Sequence, residues 1–267
     1  MIRNPRHQEI LSLLTMLRQV SVQELSQRLN VSEVTVRKDL TFLEEAGCLM
    51  RTRGGAQIAE DSRLLKTIDI RQREHLDKKE QIASKAKELI HDGETIYLDS
   101  GSTCYLLARQ LRDMSLRVVT NSIDVMVELA DAPAIQLFSL GGSYRKEAGS
   151  FIGPIAINTL QNFQIETCFI GATGFSAGGV FSSQNIIETQ LKQRVLEASE
   201  RRIIVADSSK FGKVAFSIFA RAETVDILVT DSDFTHAREL GSLGIEVVTA
   251  QHHQVYTLEL TDKGSRA

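Results

Sequence analysis

Tryptophan is missing from this chain, and aromatic residues make up only 6% of it. No aromatic is expected on the surface of the cationic helix and wing near the start, which disfavours reading single-stranded nucleic acid by base stacking. Cysteine is scarce and odd in number. Cys48, Cys104 and Cys168 stand far apart, and no CxxC or His/Cys spacing suggests a metal. They read as buried free thiols of a reducing compartment. No apolar run approaches the ~18 residues that a membrane span needs. Met1-Ile2-Arg3-Asn4-Pro5-Arg6 lacks the apolar core of a signal peptide. These gaps predict a cytoplasmic protein with no membrane partner. The net charge of −3 does not advertise a nucleic acid either. What is present is ordinary for globular protein: 42% hydrophobic and 24% charged residues in a chain of 267, long enough for two domains.

The first 58 residues hold eight Lys/Arg against six Asp/Glu, a small local excess of positive charge. Asn4-Pro5 reads as a helix cap followed by proline at the first helical position. Ile10, Leu13, Leu14 and Leu17 recur at helical spacing, which predicts a first helix to about Arg18. Ser21-Val22-Gln23-Glu24 has the form of a capping box, with Leu25 and Leu29 continuing a buried stripe. Asn30-Val31 turns the chain, Ser32 caps a third helix, and Gly47 stops it. A short helix, a tight turn and a second helix carrying Arg37-Lys38 are the layout of a helix-turn-helix, whose second helix enters the DNA major groove.

At about 100° per residue, Val36, Leu40 and Leu43 of the third helix fall together and face the core. Val34, Arg37, Lys38 and Thr41 fall opposite, with Thr35 on the flank. Such a face suits phosphates, guanine edges and thymine methyls; a plain solvated helix face has the same composition. Leu49 to Ile58 then reads as strand, Gly54-Gly55 turn and strand, a hairpin wing that carries Arg51 and Arg53 towards backbone phosphate. The candidate DNA-binding residues are thus Ser32, Val34, Thr35, Arg37, Lys38, Thr41, Arg51 and Arg53. Residues 59–77 are charged and poor in apolar groups and read as a linker, with a helix starting near Ile70 and running to Ile90.

From residue 78 to 267 helical segments alternate with short apolar runs. Thr95–Leu98 leads into Asp99-Ser100-Gly101-Ser102-Thr103, Leu116–Val119 into Thr120-Asn121-Ser122, and Gln136–Leu140 into Gly141-Gly142. Cys168–Ile170 leads into Gly171-Ala172-Thr173-Gly174, Arg202–Ala206 into Asp207-Ser208-Ser209-Lys210, and Val225–Val229 into Thr230-Asp231. This alternation predicts an α/β domain with a doubly wound, mainly parallel sheet, whose ligands bind outside the carboxyl ends of the strands. Ser100, Gly101, Ser102 and Thr103, at a helix N-terminus, form a candidate phosphate cradle or an ordinary capped turn. Asp99 repels phosphate but can accept a sugar hydroxyl. Lys210 either pairs with an anionic ligand or extends into solvent. Glu188 and Lys192, spaced i, i+4, fit a surface helix pair.

Several of these motifs together resemble one family. Arg6-x3-Ile10-x3-Leu14, Ser32-x2-Thr35-Val36-Arg37-Lys38-Asp39-Leu40, Leu43-Glu44-x2-Gly47 and Arg51-x-Arg53-Gly54-Gly55-Ala56 are similar to the DeoR family of bacterial transcriptional regulators. Lys38 departs from it, standing where many members carry a second arginine. Asp99-Ser100-Gly101-Ser102-Thr103, Thr120-Asn121-Ser122, Gly141-Gly142, Phe151-x-Gly153, Phe169-Ile170-Gly171, Glu188 and Asp207-Ser208-Ser209-Lys210-Phe211 resemble that family's effector-binding domain, whose fold is similar to ribose-5-phosphate isomerase. Arg73 resembles an arginine that recurs before that domain.

The resemblance implies a winged helix-turn-helix bound to double-stranded operator DNA, and a phosphosugar effector with its phosphate at Ser100 to Thr103. It implies a polyol site near Asp99, Asn121, Glu188, Asp207 and Lys210, with Gly141 and Gly142 among the strand-tip candidates. It also implies a homo-oligomer, dimer or tetramer, reading repeated half-sites. No cofactor, metal or catalytic residue is expected. The rival reading is an isomerase joined to a DNA-binding domain. Isomerisation needs a carboxylate base, and where those isomerases carry an Asp-Gly-Ala-Asp-Glu loop this chain has Ile170-Gly171-Ala172-Thr173-Gly174; losing such a base costs about 10²–10⁴ in rate.

Overall fold

Apolar spacing orients the helices of the N-terminal unit. The computed structural model describes residues 5–17, 19–45, 49–57 and 74–250. In α1 (Pro5–Leu17) the buried positions are Ile10, Leu11, Leu13 and Leu14. Leu17, expected on that stripe, is 41% exposed. A three-residue strand follows, β1 (Gln19–Ser21), which the sequence did not announce. Ser21 then caps α2 (Val22–Leu29), its hydroxyl accepting from the Glu24 amide at 3.0 Å. The reciprocal half of the expected capping box is replaced: Glu24 pairs with Arg28 at 3.2 Å, one turn on. Asn30 closes α2 in the left-handed region, φ 50°. The Ser32 hydroxyl accepts from the Thr35 amide at 3.2 Å and opens α3 (Glu33–Glu45).

Val36, Leu40 and Leu43 are fully buried against Ile10, Leu14 and Leu25. Each such burial contributes roughly 1.5–3 kcal/mol, which fixes which face of α3 is left outside. The wing is β2 (Met50–Thr52) and β3 (Gly55–Gln57), antiparallel, with β3 also paired to β1 in the order β1-β3-β2. Its turn differs from the Gly54-Gly55 expected. Arg53 and Gly54 make it, with Gly54 at φ +100°, while Gly55 belongs to β3 opposite Thr52. Gly55 is demanded by β1 instead, since a Cβ there lies 2.1 Å from the Val20 carbonyl oxygen. The Asn4 cap, the Gly47 stop, Cys48, Arg73 and the linker from 59 to 73 lie outside the described residues.

The chain divides into two compact units between Glu74 and His75. The expected helix from Ile70 is shorter: α4 runs Leu76–Lys87, because His75 before it takes a left-handed conformation, φ 51°. Seven strands form the main sheet: β4 (Thr95–Leu98), β5 (Leu116–Thr120), β6 (Ile135–Ser139), β9 (Ile165–Gly171), β12 (Ser199–Val205), β14 (Ile227–Thr230) and β15 (Glu246–Thr249). All pair in parallel, in the order β15-β14-β12-β9-β4-β5-β6. β15 was not anticipated. Alternation along each strand fills two cores. Ile96 and Leu98 of β4 point to one face and Tyr97 to the other; Phe169 of β9 joins the first, Cys168 and Ile170 the second.

The first face is covered by α4, α5 (Ser102–Gln110) and α6 (Ile123–Leu129). The second is covered by α7 (Pro154–Leu160), α8 (Ile186–Glu197) and α9 (Ala237–Gly241). Helices on both faces of a parallel sheet make it doubly wound. The winding reverses between β4 and β9, so the switch-point crevice opens at their carboxyl ends. Two small antiparallel elements complete the unit: the hairpin β7 (Ser143–Arg145) and β8 (Ser150–Ile152), and a sheet of β10 (Gly174–Phe175), β11 (Phe181–Ser183) and β13 (Ser217–Ala220). Cys104 and Cys168 are buried free thiols, with burial pushing Cys168 up to about 11.

Candidate functional site

On α3 the residues opposite the core are presented as the periodicity requires. Val34 is 64% exposed, Ser32, Arg37 and Lys38 are exposed, and Thr35 and Thr41 are half-buried. Arg37 makes an i, i+4 pair with Glu33 at 3.1 Å, between exposed side chains and worth little in water. Thr41 is more constrained. Its hydroxyl donates to the Arg37 carbonyl at 2.9 Å and accepts from Arg51 Nη1 at 2.9 Å. The Arg51 amide donates to Glu44 at 3.0 Å. The wing is thereby tied to α3, and Arg53 sits exposed at its tip.

Beneath this face Asp39 is 6% exposed and held from α1 by three bonds. Arg6 Nε and Nη2 reach its two oxygens at 2.6 and 3.0 Å, and His7 Nε2 lies 2.8 Å from Oδ1. Burial pushes the Asp39 carboxyl up, but Arg6 and His7 outweigh it and hold it below the ordinary value. This clamp joins residues 32 and 33 positions apart, which helical periodicity does not register.

In the second unit the tips of β12, β9, β4, β5 and β6, five neighbouring strands, carry Asp207, Gly171, Asp99, Asn121 and Gly141. At about 4.8 Å between strands the set spans roughly 19 Å, wider than one sugar phosphate. The geometry separates it into parts. At the β4/β9 switch point Asp99 is 2% exposed. Its Oδ2 accepts from Lys192 Nζ at 2.8 Å and from the Gly171 amide at 3.0 Å. Its Oδ1 is buried with no hydrogen-bond partner. Lys192 also donates to the Gly171 carbonyl at 2.7 Å and pairs with Glu188 at 3.3 Å. Glu188 in turn meets Arg145 of β7 at 2.6 Å. Burial alone lowers the Lys192 pKa, yet Asp99 and Glu188 outweigh it and raise it, so the ammonium is charged.

The surface pair expected from the spacing of Glu188 and Lys192 is therefore a buried ionic cluster, with Lys192 5% exposed. Asp99 lies 93 residues away, so spacing on one helix carries no sign of it. Beside the cluster, Ser100, Ser102 and Thr103 are buried, and Gly101 opens α5 without any side-chain cap. Among the described residues their hydroxyls have no protein partner. Hydroxyls beside uncapped amides at a helix N-terminus suit an anion.

Most of the flanking candidates make contacts of their own. Asn121 accepts from the Tyr97 hydroxyl at 2.9 Å and donates to the Phe151 carbonyl at 3.0 Å, holding the β7–β8 hairpin over the β5 tip. Gly141 and Gly142 (φ 61° and 117°) turn the chain at the sheet edge, and a Cβ on Gly142 meets the Ile152 oxygen at 2.7 Å. Asp207 caps the turn Ser208–Lys210, accepting from the Ser209 amide and hydroxyl. Lys210 is half-buried on that turn. Next to it Asp231 takes the Ser208 amide at 2.6 Å and Lys78 at 3.2 Å, a contact absent from the sequence reading. Among the described residues no His/Cys/Asp/Glu group is arranged to hold a metal, and no helix is long and apolar enough to cross a membrane.

A winged helix-turn-helix followed by a doubly wound α/β unit defines a DNA-binding transcriptional regulator. The model of the DeoR-like helix-turn-helix domain matches residues 6–62, and that of the DeoR C terminal sensor domain matches residues 74–232. The chain belongs to the DeoR family. It is 32% identical over 240 residues to the lactose phosphotransferase system repressor of Lactococcus lactis subsp. lactis, covering 88% of this chain and 93% of that one. It is 31% identical over 230 residues to the L-fucose operon activator of Escherichia coli (strain K12), covering 85% and 94%. Among solved structures, ribose 5 phosphate isomerase A from Neisseria gonorrhoeae aligns at 20% identity and a TM-score of 0.38, over 50% of this chain and 52% of that one. With relatives named for transcriptional regulation, the protein is a regulator rather than an enzyme.

Proposed function

We propose that this protein represses a carbohydrate-utilisation operon in the cytoplasm and leaves operator DNA when a phosphorylated sugar or sugar derivative binds. Residues 1–58 read duplex DNA through α3 and the wing, 59–77 transmit, and 78–267 sense. The protein works as a dimer or tetramer, because one recognition helix supplies few base contacts and paired half-sites multiply them. The observation that carries the sensing half is the crevice: hydroxyls of Ser100, Ser102 and Thr103 at an uncapped helix end, beside an Asp99 oxygen with no partner. Phosphate suits the former and a sugar hydroxyl the latter. The relatives' names, a lactose transport-system repressor and an L-fucose operon activator, support carbohydrate as the signal.

The ligand acts only through its differential affinity for the DNA-competent and DNA-incompetent arrangements. The test is a gel-shift assay on the DNA flanking the gene, repeated with a panel of phosphosugars and paired with thermal-shift measurements. Release by one phosphosugar that also raises Tm supports the proposal. Retention of DNA with every member of the panel sinks the sensing half, and no retention of any flanking fragment sinks the reading half.

A further inference from the structure

The outer face of α3 is not uniformly polar. Val34 is 64% exposed, and Phe42, against the expectation of no aromatic on this surface, is 50% exposed. With Arg37, Lys38 and Thr41 they line a shallow notch of about 380 Å³ whose walls are mostly apolar. Thr41 contributes to that character. Its hydroxyl is spent on the Arg37 carbonyl and on Arg51, so the group it has left to offer is its methyl. Phe42 is a braced wall. Its ring lies 4.9 Å from the His7 ring, and His7 is fixed at 2.8 Å by Asp39, which Arg6 grips in turn. An apolar notch rimmed by two cations fits an apolar substituent carried on a polyanion. In the major groove of duplex DNA, the apolar group on an unmodified base edge is the C5 methyl of thymine.

We infer that this notch reads a thymine methyl, with Val34 and the Thr41 methyl making the contact and Phe42 closing the side. The inference rests on the proposal that α3 enters the major groove. Arg37 and Lys38, on the rim, contact the neighbouring guanine edge or phosphate, so the half-site contains a thymine beside a position that a cation reads. Val34 and Phe42 then add sequence preference at the thymine position, beside any base that Arg37 or Lys38 reads, while the cations supply most of the affinity.

The probe is a duplex fragment of the DNA flanking the gene that the full-length protein retains in a gel shift, prepared again with dUTP in place of dTTP. Uracil keeps every hydrogen-bonding group of thymine and lacks only the methyl. Losing one buried methyl costs about fourfold in Kd, and roughly fifteenfold when two half-sites each lose one. The expected result is that fall for the unaltered protein, and a smaller difference between the two fragments with Val34→Ala, since the Thr41 methyl and Phe42 remain. Val34 is exposed, so Val34→Ala keeps its Tm within about 4 °C. Equal binding of the two fragments by the unaltered protein overturns the inference. So does a Val34→Ala variant that discriminates between them as strongly as the unaltered protein. A gain on replacing dC by 5-methyl-dC, with no loss on uracil, moves the methyl to cytosine and overturns it as well. Failure to retain any flanking fragment strikes the DNA-reading proposal itself and is told apart by that.

Discussion

Lys192 Nζ stands 2.8 Å from Asp99 Oδ2, and only 6% and 2% of the two side chains are exposed. The pair bridges α8 to the tip of β4 at the point where the sheet reverses its winding. Each proton of the ammonium has an acceptor, in Asp99, Glu188 and the Gly171 carbonyl. Removing the ammonium leaves the Asp99 carboxylate buried without its counter-ion and Glu188 with Arg145 alone. Breaking a buried pair from one side costs about 3–5 kcal/mol. Lys192→Met therefore lowers the Tm of the sensor unit by roughly 10 °C. Calorimetry on the full chain reads this, and an unchanged Tm shows that water reaches the cluster.

The neighbouring hydroxyls behave in the opposite way. Ser102 and Thr103 sit at the uncapped start of α5, and their hydroxyls have no protein partner among the described residues. Ser102→Ala and Thr103→Val leave Tm nearly unchanged in the absence of ligand. If phosphate rests there, each removes a charge-assisted hydrogen bond and weakens phosphosugar binding by about tenfold. Titration calorimetry with the releasing phosphosugar decides it. Unaltered affinity in both variants moves the phosphate elsewhere.

The two wing glycines have different duties, so alanine at each has a different effect. Gly54 occupies φ +100° with open space around it, and Gly54→Ala carries only backbone strain of about 1–3 kcal/mol. Gly55→Ala puts a Cβ 2.1 Å from the Val20 oxygen in a strand fixed on both sides. Gly55→Ala is expected to unfold the three-stranded sheet and lower the transition of the N-terminal unit well below that of Gly54→Ala. Equal transitions show that β1 moves aside at little cost.

Acid stability follows from Asp231. Burial pushes its carboxyl up, but the Ser208 amide and hydroxyl and the Lys78 ammonium outweigh it and hold it below its ordinary value. A carboxyl whose folded pKa lies below the unfolded value of about 3.9 stabilises the fold fully above that value. The contribution fades as pH falls through the lower, folded pKa. The Tm gap between the unaltered protein and Asp231→Asn is therefore full at pH 7 and closes below about pH 4. A gap that stays constant down to pH 2 shows a contact that does not depend on ionisation.

How far the sequence reached follows from the range of each interaction. Val36, Leu40 and Leu43 lie within eight residues, and their periodicity alone oriented α3 correctly. Six of the seven main strands were visible as apolar runs bounded by polar tips. β1 is three residues long with one buried side chain, too short for a pattern, and it was missed. Spacing along one helix gave Glu188 and Lys192 as a surface pair because Asp99, the buried partner of Lys192, arrives from a strand tip 93 residues away. The Arg6–Asp39 clamp and the Lys78–Asp231 tie escaped for the same reason.

Arg37 and Arg51 both lie on the outer surface of the helix and wing, but their losses are distinguishable. Arg37 meets only the exposed Glu33 carboxylate and its removal disturbs nothing beneath, so Arg37→Ala keeps its Tm. If Arg37 reads a base edge, the variant loses about 1–3 kcal/mol of operator binding, roughly five- to 150-fold, and relaxes preference at one base position. Arg51 bridges the wing to Thr41 of α3. As a phosphate contact its loss weakens binding to all sequences alike and reduces the slope of log K against log salt by about one. Arg51→Ala also frees the Thr41 hydroxyl, so the half-site preference broadens only slightly beside that uniform loss. Salt titrations of both variants on operator and unrelated duplex separate the two. A sequence-specific loss for Arg51→Ala, or a uniform one for Arg37→Ala, reverses the roles of helix and wing.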